Sequence, residues 1–187
     1  MDRIKNAGRE ERFFKHTVIE NMITRRSCRG YKPDMIPEDV LEEILKAGTY
    51  AATGMGKQSP VILAVTNPEV RQRLSEVNAE IMGVDSDPFY GAPVVLVVLA
   101  DKKRPTYVYD GSLVMGNLML AAHALGVDSC WIHRAKETFD RPEWKEFLKE
   151  QGIEGDYEGI GNCVLGYRAV PLKEAAPRKD HYVYRVK

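Results

Sequence analysis

The sequence predicts one domain in which helices alternate with buried strands, and three observations carry that prediction. Val61 to Val65 and Val94 to Leu99 are continuous apolar runs of strand length, the pattern of strands covered on both faces. The stretches around them repeat apolar residues at helical spacing behind recognisable start signals. No linker, internal repeat or low-complexity tract divides the 187 residues, and 44% of them are hydrophobic, enough to bury one sizeable core.

The elements follow in order. Thr17 with Glu20 forms a capping-box pattern, and Val18, Ile19, Met22 and Ile23 repeat behind it, which predicts a helix from about Val18 to Arg26. Pro37, beside Glu38 and Asp39, opens a second helix through Val40, Leu41, Ile44 and Leu45; Gly48 and then "TGMGKQS" end it. After the strand at Val61 to Val65, Asn67-Pro68 starts a third helix with Val70, Leu74, Val77 and Ile81 on one face. "GVDSDPFYGAP" reads as a loop before the second strand.

Asp110 to Leu125 reads as a helix apolar on nearly every side, so it is either a central core helix or an interface helix. A short strand is expected over Val127 to Ile132. Asp140 and Pro142 then open a helix with Trp144, Phe147 and Leu148 turned inward, and Gly159 to Tyr167 reads as another strand. The tail "HYVYRV" alternates as an edge strand would.

Charge and cysteine usage narrow the function. With 27 basic and 27 acidic residues the net charge is zero and the pI is about 6.9, which argues against a nucleic-acid surface. There is no signal-peptide pattern and no apolar run long enough to span a bilayer, so a cytoplasmic protein is expected. The three cysteines form no CxxC pair and suit reduced thiols.

Several motifs fail on context. "GMGKQS" lacks the earlier Gly, the hydroxyl residue after Lys57 and the preceding strand of a P-loop. The four histidines show no i, i+4 pair, so no metal site is expected, and His123 reads as a hydrogen-bonded core residue. No G-x-S-x-G elbow and no carboxylate pair suggests a hydrolase. What stands out instead is Arg25 to Tyr31, "RRSCRGY", with three arginines in five residues of a neutral chain. It is either a solvated basic helix end or the site of a small anion.

The order "RRSCRGY", "AATGMGKQSP", "GAPVVLVVLAD", "DGSLVMGNLMLAAHALGVDSCWI", "GNCVLGY" and a late "PRK" resembles the FMN-dependent nitroreductase family, from about Val18 to the carboxyl terminus. Residues 1 to 16 fall outside the resemblance and read as a peripheral extension. The resemblance implies an α+β three-layer α/β/α sandwich with a mostly antiparallel central sheet, formed by all 187 residues as a single domain. It also implies a homodimer with FMN between subunits, and NADH or NADPH as electron donor.

Residue by residue, the resemblance implies that Arg25 and Ser27 hold the flavin phosphate and ribityl chain, with Arg26 adding contacts and Arg178 and Lys179 completing the cradle. Arg29 falls at the pyrimidine edge of the ring, where a fixed cation favours the reduced flavin. Asn78 falls on a helix facing the ring's polar edge, and the backbone amides of His133 and Arg134 approach N5 and O4.

Thr53, Gly54, Met55 and Gln58 match a motif that reaches the partner's flavin, although Ala52 and Gly56 stand where Pro and Asn are usual. The segment from Ile81 to Pro93 is short, which implies a reduced lid. No side-chain nucleophile is expected, because the flavin carries the chemistry. The implied reaction is hydride transfer from NAD(P)H to an electron-poor acceptor such as a nitroarene or quinone. The alternatives are a non-catalytic flavin sensor or store, and a specialised dehalogenase or flavin-fragmenting enzyme.

Overall fold

The computed structural model describes residues 17–187; the expected extension at residues 1 to 16 lies outside them. Helix α1 occupies residues 17–24 of the described chain, so Thr17 is already helical and "RRSCR" lies wholly beyond the last turn. The order continues α2 (Glu38–Thr49), β1 (Pro60–Val65), α3 (Pro68–Met82), β2 (Val94–Asp101), α4 (Tyr107–Ala124), β3 (Asp128–Ile132), α5 (Ala135–Phe139), α6 (Pro142–Glu150) and β4 (Tyr157–Gly166). Among the described residues no helix is long and apolar enough to cross a membrane.

The four strands form one sheet in the order β1-β2-β4-β3, every neighbouring pair antiparallel. Strand β2 is its spine: Val94 through Ala100 are all 0% exposed, which is why the run carries no polar residue. Alternate residues face opposite ways. Val95, Val97 and Leu99 enter one core with Leu74 of α3, Phe139 of α5 and Trp144 and Leu148 of α6. Val94, Leu96, Val98 and Ala100 enter the other with Leu41 and Ile44 of α2 and Val114, Met115 and Leu118 of α4. These are the three layers of the expected sandwich.

Local signals explain the boundaries. The Asn67 side chain accepts from Glu69 N and Val70 N at 2.9 and 3.1 Å, with Pro68 in the first turn, and Gly83 closes α3 at φ 71°. Pro60 sits at the first position of an edge strand, where a missing N–H costs no ladder bond. Pro37 precedes α2 and does not join it. Helix α4 starts at Tyr107, three residues before the expected Asp110.

Two features escape the sequence pattern. Helix α5 is only 5 residues long, too short for a periodic signal. The β2–β4 register jumps between Val98↔Gly161 and Leu99↔Gly159, so Ile160 is an extra residue that bulges onto Gly111 of α4. The tail beyond Leu172 is exposed and forms no strand within one chain.

Candidate functional site

Past α1 the chain straightens along the outer edge of the sheet. Ser27 bridges Ser129 of β3 in parallel, and Cys28 N donates to Ser129 O at 3.0 Å. Extended backbone sends alternate side chains to opposite sides, so Arg25, Ser27 and Arg29 share one side while Cys28, 1% exposed, turns into the core. The first three line a cavity of about 590 Å³ together with Arg26, Lys173 and Arg178. Lys173 and its neighbour Glu174, also on this wall, carry no sequence signal, because an irregular tail delivers them.

The arginines divide their work. Arg26 Nη1 donates to Ile23 O and Arg25 O, both at 2.8 Å, and so caps the carboxyl end of α1. Arg25 Nη1 is buried without any protein partner. A charged donor in that state is costly unless something outside the chain accepts from it. Arg178 folds onto Ala176 O, with Nε and Nη2 at 3.2 and 2.7 Å. Lys179 lies outside the cavity wall; its Nζ sits 5.4 Å from the Tyr182 ring centroid.

Arg29 also lines a second cavity, of about 240 Å³, with Tyr90, Trp131, His133 and Arg134. Asn78 is absent from both walls: 1% exposed, it donates through Nδ2 to His133 O at 2.9 Å and accepts from Arg134 Nε at 3.0 Å. The side chain expected to face a ring edge thus holds the turn after β3. Asn162 of β4 joins it, with Nδ2 3.3 Å from the same His133 O.

Tyr90 is placed by Asp87, whose carboxylate accepts from Arg71, Ser75 Oγ, Phe89 N and Gly91 N at 2.5 to 2.9 Å. Burial opposes ionisation there, but those hydrogen bonds outweigh it and hold the carboxyl below its usual range. The short loop is therefore stapled shut.

Thr53 and Gln58 line a third cavity, of about 420 Å³, with Val114 and Ile62, and it shares no wall residue with the other two. Gly54 and Met55 stand in a short 3-10 turn, where Met55 is left-handed at φ 52° and 83% exposed. Asp110 anchors that turn. Buried in α4, it accepts from Gly54 N and Ser59 Oγ at 2.9 Å and from Thr106 Oγ1 at 3.1 Å. An acid in the first turn is an ordinary helix-start feature, so this anchoring role left no distinct mark in the sequence.

The nitroreductase family model matches residues 22–167, most of the chain. The chain belongs to the nitroreductase family. It is 29% identical over 169 residues to a provisionally named NADH dehydrogenase/NAD(P)H nitroreductase of Archaeoglobus fulgidus, covering 88% of each chain. A similarly named protein of Methanothermobacter thermautotrophicus is 31% identical over 126 residues, which span 63% of this chain and 61% of the relative. Among solved structures, a Bacteroides fragilis nitroreductase with bound FMN superposes with TM-score 0.82 at 29% identity, over 91% of this chain and 98% of that one. An iodotyrosine deiodinase shares the fold at TM-score 0.72 and 20% identity.

In this nitroreductase-family chain the thiols are not poised for attack. Burial pushes Cys28, Cys130 and Cys163 upward, the last to about 12, so all three remain protonated near neutrality. Arg29 and Ser27 pull Cys130 back only in part.

Proposed function

We propose that the protein works as a homodimer that passes hydride from NADH or NADPH through FMN to an electron-poor acceptor, such as a nitroarene or quinone, in alternating half-reactions. Family membership makes it an FMN-dependent NAD(P)H oxidoreductase. The observation that carries the cofactor assignment is the convergence of Arg25, Ser27, Arg29, Lys173 and Arg178 on one cavity, with no protein partner for Arg25 Nη1 beside it. A phosphomonoester fits such a cradle, with about two negative charges and three acceptor oxygens for arginine's fork.

Arg25 and Ser27 would bind the phosphate, with Lys173 and Arg178 closing the cradle; Lys179, outside the wall, has no part in it. Arg29, shared by two adjoining cavities, would hold a positive charge against the polar edge of the ring. The Arg134 backbone would donate to the ring at the second cavity, and Tyr90 would wall its open side. When bound, FMN supplies a two-electron acceptor at N5 that a nicotinamide can fill and a substrate can empty.

Thr53 and Gln58 face a cavity apart from the arginines, which suits a motif that serves the partner's flavin. Exposed Leu113, Ile19, Met22 and Ile23 give α1 and α4 an apolar surface for that partner.

The deciding experiment is the absorbance spectrum of purified protein with a count of FMN per chain, followed by anaerobic bleaching with NADH or NADPH. A colourless protein that cannot be reconstituted with FMN would overturn the proposal. A yellow one that neither nucleotide bleaches would leave binding without turnover.

A further inference from the structure

We propose that Asn162 and Asn78 form a two-amide clamp that fixes the His133–Arg134 peptide and presents the Arg134 N–H to the bound ligand; resting on the flavin reading above, it meets the N5 and O4 edge of the ring. Both amides are 1% exposed and both donate to one carbonyl oxygen, His133 O, at 3.3 and 2.9 Å. A carbonyl has two lone pairs, so the pair of donors satisfies it completely and turns it inward. The chain contains no cis peptide among the described residues. In a trans unit the N–H points opposite to the C=O, so the Arg134 N–H faces away from the buried amides, where the chain lines the second cavity.

Three further observations agree. Arg134 is left-handed at φ 73°, an unfavourable region for a residue with a Cβ, held on one side by the clamp and on the other by Thr138, whose N and Oγ1 donate to Arg134 O at 3.0 and 2.9 Å. The Arg134 side chain is drawn back onto Asn78 Oδ1 at 3.0 Å, which directs it to the amide pair. Asn162 Oδ1 is buried with no partner, so this residue is kept for its donor alone at the cost of an unsatisfied acceptor. Gly159 completes the setting, because a Cβ there would overlap the Ala135 carbonyl and push the turn off β4.

The clamp has an electronic consequence. An N–H fixed at that edge bonds the two redox states unequally, because N5 accepts a hydrogen bond only in the oxidised ring while O4 gains negative charge on reduction. Released, the peptide can turn its carbonyl outward and alter that balance. Asn162 is thus a positioning residue.

The test uses Asn162→Leu, which removes the donor at similar volume, and Asn162→Asp, which keeps the shape and replaces nitrogen by oxygen. In FMN-loaded protein the midpoint potential should shift by about 30 mV, a tenfold change in the ratio of affinities for reduced and oxidised flavin, with oxidised FMN affinity changed less than about threefold. An unchanged potential overturns the proposal. In the ligand-free protein, NMR backbone shifts should place Arg134 in the left-handed region in the wild type and release it in the variants; wild-type shifts of any other kind, or variants that match the wild type, overturn it. This measurement needs no flavin, so a protein that binds no FMN defeats the flavin reading while the clamp is still decided. Should neither variant fold, the wild-type Arg134 amide proton decides: it must shift strongly on FMN addition, and no shift overturns the proposal.

Discussion

Arg25 leaves a guanidinium nitrogen buried and unpartnered, whereas Arg26 spends its own on two backbone carbonyls at the end of α1. Replacing Arg25 with Ala should remove a charge-assisted hydrogen bond worth about 1.5 to 3 kcal/mol and weaken FMN binding roughly tenfold to a hundredfold, read by flavin fluorescence quenching. Equal affinities for FMN and riboflavin would count against a phosphate in that cavity. Arg29 makes a different prediction. Its exchange for Gln should spare phosphate anchoring and lower the midpoint potential, about 30 mV for each 1.4 kcal/mol lost by the reduced state. At this scale the sequence revealed the arginines, because they bunch in a neutral chain and extended backbone sorts them by parity. It concealed the turning of Asn78 toward His133 O, because that contact joins residues 55 apart.

The turn at Gly54–Gly56 owes its position to one carboxylate on α4, not to its own hydrogen bonds alone. Asp110→Ala would strand Gly54 N, Ser59 Oγ and Thr106 Oγ1. A buried donor left unsatisfied costs about 1 to 3 kcal/mol, and of the three only Ser59 is buried, so urea unfolding should show a loss of about that size, and trypsin should cut faster after Lys57. Unchanged cleavage would mean the turn is held by something else. The loop before β2 responds to acid instead. The Asp87 carboxyl is held below its usual range, so its contribution is complete above the unfolded value, about 3.9, and disappears as pH falls through the lower folded value. Hydrogen exchange at Phe89 and Gly91 should accelerate in that acid window, and Asp87→Asn should abolish the pH dependence. The boundaries of α2, α3 and α6 were legible from Pro, Asn and apolar spacing. The bulge at Ile160 was not, since an inserted residue leaves no mark on an apolar run.

For the whole molecule, alternation of strand and helix predicted the elements, and the family resemblance supplied the antiparallel order that apolar runs alone do not encode. Assembly is where one chain reaches its limit. The cavity of Thr53 and Gln58 and the cavity of Arg25 have no wall in common, so a complete site requires two copies or a motif that serves another purpose. Light scattering should give a dimer. Truncation after Lys179, which removes the exposed "HYVYRV", should loosen it. A flavin-loaded monomer of the full chain would overturn the shared arrangement.

Strand β2 sends its side chains alternately to both cores, so neither layer of helices can melt without exposing the other's strand. Cooperativity follows from that sharing. The protein carries two tryptophans, and they fall on opposite sides of the sheet: Trp144 within one core, Trp131 packed against the other. Single-tryptophan variants, Trp131→Phe and Trp144→Phe, would each report on one layer, and in urea each should unfold at the same midpoint by fluorescence as by circular dichroism. Within either variant, a fluorescence midpoint displaced from that of the backbone signal would show that the sheet is a boundary between two folding units instead of the member that joins them.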